Sequence, residues 1–219
     1  MVTPDLVSED DIVKLIIPDD LPDEQPIFKA YIEAKVYDKE GHLIQYHRQP
    51  MRSLTQYFLA LMSIPLLGTY SGPSSNSLTG ILTNVLGLSA VSNTSWSANI
   101  VWSWSIQLGS GTQAFSLTLA SLAAPITNGS QAGQLEYGTL AISYTGSSIF
   151  LLEVVTNNTS GTVNVTEIGL TCTIYLQYYT SSYASSSYNF LLSYDTFSTA
   201  ISIPASGMAS FQIVISFSG

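Results

Sequence analysis

The chain has 219 residues and a formal net charge of −9, and its six Lys and Arg residues (Lys14, Lys29, Lys35, Lys39, Arg48 and Arg52) all precede Ser53. From Ser53 to Gly219 there is no base and there are four acids, Glu136, Glu153, Glu167 and Asp195. Phosphate neutralisation needs cations that this body lacks, which excludes nucleic acid as a partner. The single cysteine, Cys172, leaves no internal disulfide framework and lies in an apolar run that favours a buried, inert thiol.

A globular surface ordinarily carries roughly a quarter of its residues as charges. Here Ser, Thr, Asn, Gln and Tyr must hold water by hydrogen bonding instead. Little on such a surface titrates, so the body is expected to vary little in stability between about pH 3 and about pH 8.

Residues 1–26 read as an acidic arm broken by Pro4, Pro18, Pro22 and Pro26. Within it Ile12, Val13, Leu15, Ile16 and Ile17 form a β-prone patch suited to docking on a neighbouring subunit as an added strand. The acidic opening from Met1 to Asp11 lacks the basic and apolar segments of a secretory signal. The longest apolar run, Tyr57 to Leu67, is too short for a transmembrane helix and contains Pro65.

The folded domain is expected over 27–219, as a hairpin plus helix at 28–64 and a β body at 70–219. From Phe28 to Tyr37 the alternation places Phe28, Ala30, Ile32, Ala34 and Val36 on one face. Asp38 to Gly41 is a turn with glycine where positive φ is needed, and His42 to Tyr46 returns. Ser53 and Gln56 fit a capping box for one short helix over 54–63, stopped by Pro65.

Beyond it, β-prone runs recur at 78–91, 98–108, 113–120, 139–144, 148–156, 162–176, 188–194, 199–203 and 209–217. Gly, Asn and Ser clusters separate them, the pattern of a sandwich or barrel. Tyr178 to Tyr188 is low in complexity and reads as a surface loop. The expected fold is mainly β: a jelly-roll-like antiparallel β-sandwich with one short helix and an extended N-terminal arm.

No catalytic constellation stands out. His42 and His47 are the only histidines and lack metal-ligand spacing, so no metal or cofactor is expected. A glycosidase-like pair could be drawn from the four acids, but structural hydrogen bonding or loop capping explains each more simply. Gly109 to Thr112 reads as a turn, because no lysine follows to make a phosphate cradle.

Asn93, Asn128, Asn157, Asn158 and Asn164 each open a glycosylation sequon. Trp102 and Trp104 share a strand face with Ile106, which favours core packing over a sugar-stacking platform.

In segment order the chain resembles virion structural proteins of viruses of thermophilic archaea, of the Sulfolobus type, and of some phages. The residues that carry the resemblance are Val36 to Leu43 followed by Arg52 to Phe58; Ile106 to Thr112; Pro125 to Gly129; and Gly133 to Gly138. Val155 to Gly161, Val165 to Leu170, Leu192 to Phe197 and Ile203 to Gly207 complete the series.

The resemblance implies a capsid-associated β-sandwich at a vertex, penton base, turret or tail nozzle. Such a protein forms a ring of identical copies, contacts other capsid or tail proteins, and resides in the virion after synthesis in the host cytoplasm. It carries no catalytic residues to transfer. The alternative is a receptor-binding module for host-surface glycans, which Trp or Tyr residues lining an exposed groove would favour. An adhesin or pilus subunit is a third reading, weakened by the acidic opening.

Overall fold

The computed structural model describes residues 28–58, 101–179 and 183–217. The acidic arm, the run at 78–91, Asn93, Trp96 and everything expected of the helix beyond residue 58 lie outside the described residues.

The first strand, β1 (Phe28–Tyr37), alternates as the sequence predicts, with Ile32, Ala34 and Val36 buried. Its turn closes on Asp38, whose Oδ1 accepts the N–H groups of Glu40 (3.0 Å) and His42 (2.8 Å). Gly41 sits at φ +87°, a conformation that L side chains rarely adopt. The chain then returns as β2 (Leu43–Pro50), paired with β1.

Seven further strands follow among the described residues: β3 (Val101–Gly109), β4 (Glu136–Tyr137), β5 (Ala141–Thr145), β6 (Ser148–Thr156), β7 (Val163–Tyr179), β8 (Tyr183–Ile203) and β9 (Met208–Phe217). They form two antiparallel sheets. One runs β2-β1-β9-β6-β4, with β5 also paired to β6; the other runs β3-β7-β8. Both contribute to one buried cluster, in which Ile32, Phe211 and Ile213 of the first sheet share a core with Ile106, Ile168 and Leu192 of the second. Cys172 is buried there as expected, and desolvation pushes its thiol up to about 11.

The sheets are also tied at their margins. The Gln45 side-chain amide donates to Ala200 O (3.0 Å) and accepts from Ser202 N (2.9 Å), so it imitates a neighbouring strand along β8. Gln49 donates to Thr196 O in the same way. At the opposite margin the segment 124–126 pairs with the end of β3, through Ser110 N to Ala124 O (2.9 Å) and Ile126 N to Leu108 O (2.8 Å). The chain then crosses to β4 in the first sheet.

Three local expectations are corrected. Within the expected loop from Tyr178 to Tyr188, the described residues are strand: β7 and β8 pair as far as Tyr179 and Tyr183, and the runs at 188–194 and 199–203 merge into β8. Backbone pairing does not require apolar side chains, and tyrosine favours strands on its own account. The run at 113–120 forms no strand and instead contains a turn from Ser116 to Leu119.

The capping box at Ser53 is not made. Ser53 O accepts Tyr194 N (3.1 Å) and Thr55 N donates to Leu192 O (2.9 Å), so these residues bridge to β8 and helical geometry begins only at residue 56. Long-range β pairing has displaced a local cap.

Asn157 fastens the far end of β6. It is fully buried, and its Nδ2 donates to Gly161 O (2.8 Å), Ile203 O (2.9 Å) and Pro204 O (3.0 Å). Its Oδ1 accepts from Thr159 N and Thr159 Oγ1. In this fold the Asn157 amide nitrogen is buried and engaged in hydrogen bonds. Replacing Asn157 with Ala strands several buried partners and should lower stability by about 2–3 kcal/mol in denaturant unfolding.

Candidate functional site

The four acids of the base-free body must find partners other than Lys and Arg side chains of that body. Glu167 is fully buried and accepts three backbone N–H groups: Gly111 (3.3 Å) and Ala124 (2.8 Å) on Oε1, and Ala123 (3.1 Å) on Oε2. Asp195 accepts Arg52 N at 3.2 Å; burial pushes its carboxyl up to about 6, against the lowering influence of Arg52. Glu136 is exposed and accepts from Asn158 Nδ2. These three fit the expectation of structural hydrogen bonding and loop capping.

Glu153 departs from it. In β6 the residues Leu151, Glu153 and Val155 are buried on one side of the strand, so Glu153 occupies a core-facing position. It is 2% exposed, and its buried Oε1 has no hydrogen-bond partner among the described residues. Desolvation alone pushes its carboxyl up to about 7.

Glu153 lines a cavity of about 690 Å³ between β3, the segment 125–128 and the β4–β5 side of the first sheet. Trp104 forms part of the wall and packs against the core; it is half-buried, as the alternation through Ile106 predicts. Tyr137 forms another part. Its hydroxyl donates to Ile126 O (3.0 Å), and Leu108 N donates to that hydroxyl at 3.4 Å. Burial, opposed by the Leu108 hydrogen bond and reinforced by Glu153, pushes the phenol up to about 12, so it remains a donor. Gly138 lets the strand approach closely, since a Cβ there would meet Val154 O at 2.9 Å. Among the described residues Glu153 is the only acid in the lining.

A second cavity, of about 490 Å³, lies beside Arg48, Arg52 and Asp195, but Asp195 is already held by the Arg52 backbone. Asp38, Glu40 and His42 bring ligand atoms within 4.8 Å of one another on the exposed first turn. There Asp38 is occupied in closing the turn and in a 3.1 Å contact with His42 Nδ1.

Among the sequons, Asn128, Asn158 and Asn164 are exposed. Asn128 Oδ1 accepts Tyr137 N (3.0 Å), and Asn164 Oδ1 accepts Ser202 Oγ (2.9 Å). The patch Ile12, Val13, Leu15, Ile16 and Ile17 lies outside the described residues. Sequence reasoning placed Glu153 among the structural acids. The signal that separates it is its place in the Leu151, Glu153, Val155 alternation, where a third apolar residue belongs. No family model matches the chain, and no curated protein or solved structure is detectably similar to it.

The expectation of pH-indifferent stability is corrected by the two acids with raised values. Glu153 moves from an ordinary 4.5 to about 7 and Asp195 from 3.8 to about 6. Across those windows the folded state binds more protons than the unfolded chain, so stability falls as pH rises through them. Glu33 and Asp38 are held below their ordinary values, Glu33 chiefly by Lys35 and Asp38 chiefly by the His42 backbone N–H. Their contribution is present above those ordinary values and is lost as pH falls through the lowered ones. The melting temperature should therefore rise as pH drops from about 8 to about 5 and fall again in stronger acid. Glu153→Gln should remove part of the rise, as thermal melts across that range will show.

Proposed function

We propose that the chain is a non-enzymatic structural subunit of a virion, a jelly-roll-like β-sandwich that assembles as a ring at a capsid vertex or tail. Its partners are copies of itself and other capsid or tail proteins. The chain's passage between the sheets (β1–β2, then β3, then β4–β6, then β7–β8, then β9) supports the sandwich reading.

The observation that carries the assembly reading is β5. Among the described residues it pairs only with β6 and all five of its residues are exposed, with Ile142 at 55% and Tyr144 at 83%. The strand contains neither a charge nor a proline, the devices by which solitary proteins protect a sheet edge. Tyr144 lies opposite Ile149, itself exposed, so the apolar strip continues onto β6. An edge of this kind suits pairing or packing against another subunit. In this reading the arm's Ile12 to Ile17 patch adds a strand to a neighbour, since its prolines oppose an isolated helix.

Light scattering on the full chain should reveal an oligomer, and Tyr144→Lys combined with Ile149→Lys should dissociate it while leaving the circular dichroism unchanged. An oligomer that survives both changes removes β5 from the interface. Deleting residues 1–26 should leave a folded domain that no longer enters particles.

A further inference from the structure

We propose that the open edge of β3 receives the Ile12 to Ile17 segment of a second copy, which adds a strand to the second sheet and extends it over β5. The inference rests on the assembly reading and names the surface that the arm occupies.

Three observations converge on it. The first is the state of the β3 edge. β3 pairs with β7 on one side and is the last strand of its sheet. On its other side Leu108 O accepts Ile126 N (2.8 Å) and Leu108 N donates to the Tyr137 hydroxyl (3.4 Å). Backbone groups of alternate residues point to the same side of an antiparallel strand, so those of Trp104 and Ile106 face the way Leu108 does. Among the described residues no backbone group pairs with them there. The strand also lacks the charge or proline that protects an edge.

The second is the cavity of about 690 Å³, which the consecutive β3 residues Ser103 to Gln107 all border. Successive side chains point to opposite faces of a strand. A space touched by all of them lies beside β3, where a further strand would run, and not over one face of it.

The third is the uncovered side of β5. Ile142 pairs with Leu151, whose side chain is buried, and Tyr144 pairs with Ile149, so both turn to the core-facing side of the first sheet. Both are nevertheless exposed, because the second sheet ends at β3. Ile142 lines the same cavity, so a strand added to β3 would extend the second sheet toward it.

The Ile12 to Ile17 run suits this place. Asp11 and Pro18 bound it, and in extended form Val13, Leu15 and Ile17 share one face while Ile12, Lys14 and Ile16 share the other. The first face meets Trp104, Leu140 and Ile142; the second keeps Lys14 in solvent beside exposed Ser103 and Ser105. Main-chain bonds to Trp104 and Ile106 supply the affinity, as in other strand additions. Residues 18–27 extend to about 33 Å, enough for the run to leave its own domain.

The test uses full chains. Lys14→Cys in one chain is co-expressed with Ser103→Cys, or with Ser105→Cys for the adjacent register, in a second chain of different tagged mass. Cys172 is buried and stays out of the reaction. Mild oxidation should give a disulfide between the two chains. Hydrogen exchange at the Trp104 and Ile106 amides should be slower in the parent than in Leu15→Asp by about tenfold or more. An oligomer with no cross-link in either register and equal exchange in both proteins overturns the β3 site and leaves the assembly reading standing. A chain that stays monomeric removes both. A disulfide that forms only within single chains carrying both cysteines places the arm on its own domain and overturns the exchange between copies.

Discussion

Three backbone N–H groups converge on the buried carboxylate of Glu167, and the junction between the sheets depends on that convergence. With no base from Ser53 onward, a buried acid here has to be neutralised by backbone dipoles. The N–H groups of Gly111, Ala123 and Ala124 come from two separate turns of the chain, so satisfying Glu167 fixes both turns against β7. Gly109 has to be glycine because a Cβ there would collide with the Glu167 side chain. The segment 124–126, held in this way, then pairs with β3 and becomes one wall of the cavity.

The same shortage of charge gives the side-chain amides a structural task. Gln45 bonds to the β8 backbone as a strand would, and Asn157 ties three carbonyls to one nitrogen. Neutral amides suit this work because they both donate and accept, and their burial carries a smaller desolvation cost than a charge. Their bonds do not titrate. The pH response of the protein is therefore concentrated in a few carboxyls, and Glu153 and Asp195 respond in the opposite sense to the acids of the first hairpin. The balance favours mildly acidic surroundings.

β5 is exposed and uncharged, and its Ile142 also lines the cavity that opens toward β3, whose walls mix apolar and neutral polar side chains with Glu153. No helix among the described residues is long and apolar enough to cross a membrane.

Much of the local structure was already determined by residue order. The period-two pattern of Phe28 to Val36, Gly41 in its turn, and the runs at 148–156 and 209–217 specify strands, because alternation commits one face to burial before any partner is known. The same logic placed Cys172 and Trp104 against the core.

What only the tertiary structure decided were the outcomes of long-range competition. Ser53 and Thr55 abandon a helix cap for β8, and the Tyr/Ser stretch pairs rather than loops, because backbone bonds to a distant strand outweigh a local preference. Asn157 became a buried linchpin although its sequon looks like those of exposed Asn158 and Asn164. The cavity at Glu153 also depends on β3 and the 125–128 segment arriving opposite β6. Alternation could flag an acid in an apolar place, but only three-dimensional packing could bury its oxygen without a partner among the described residues.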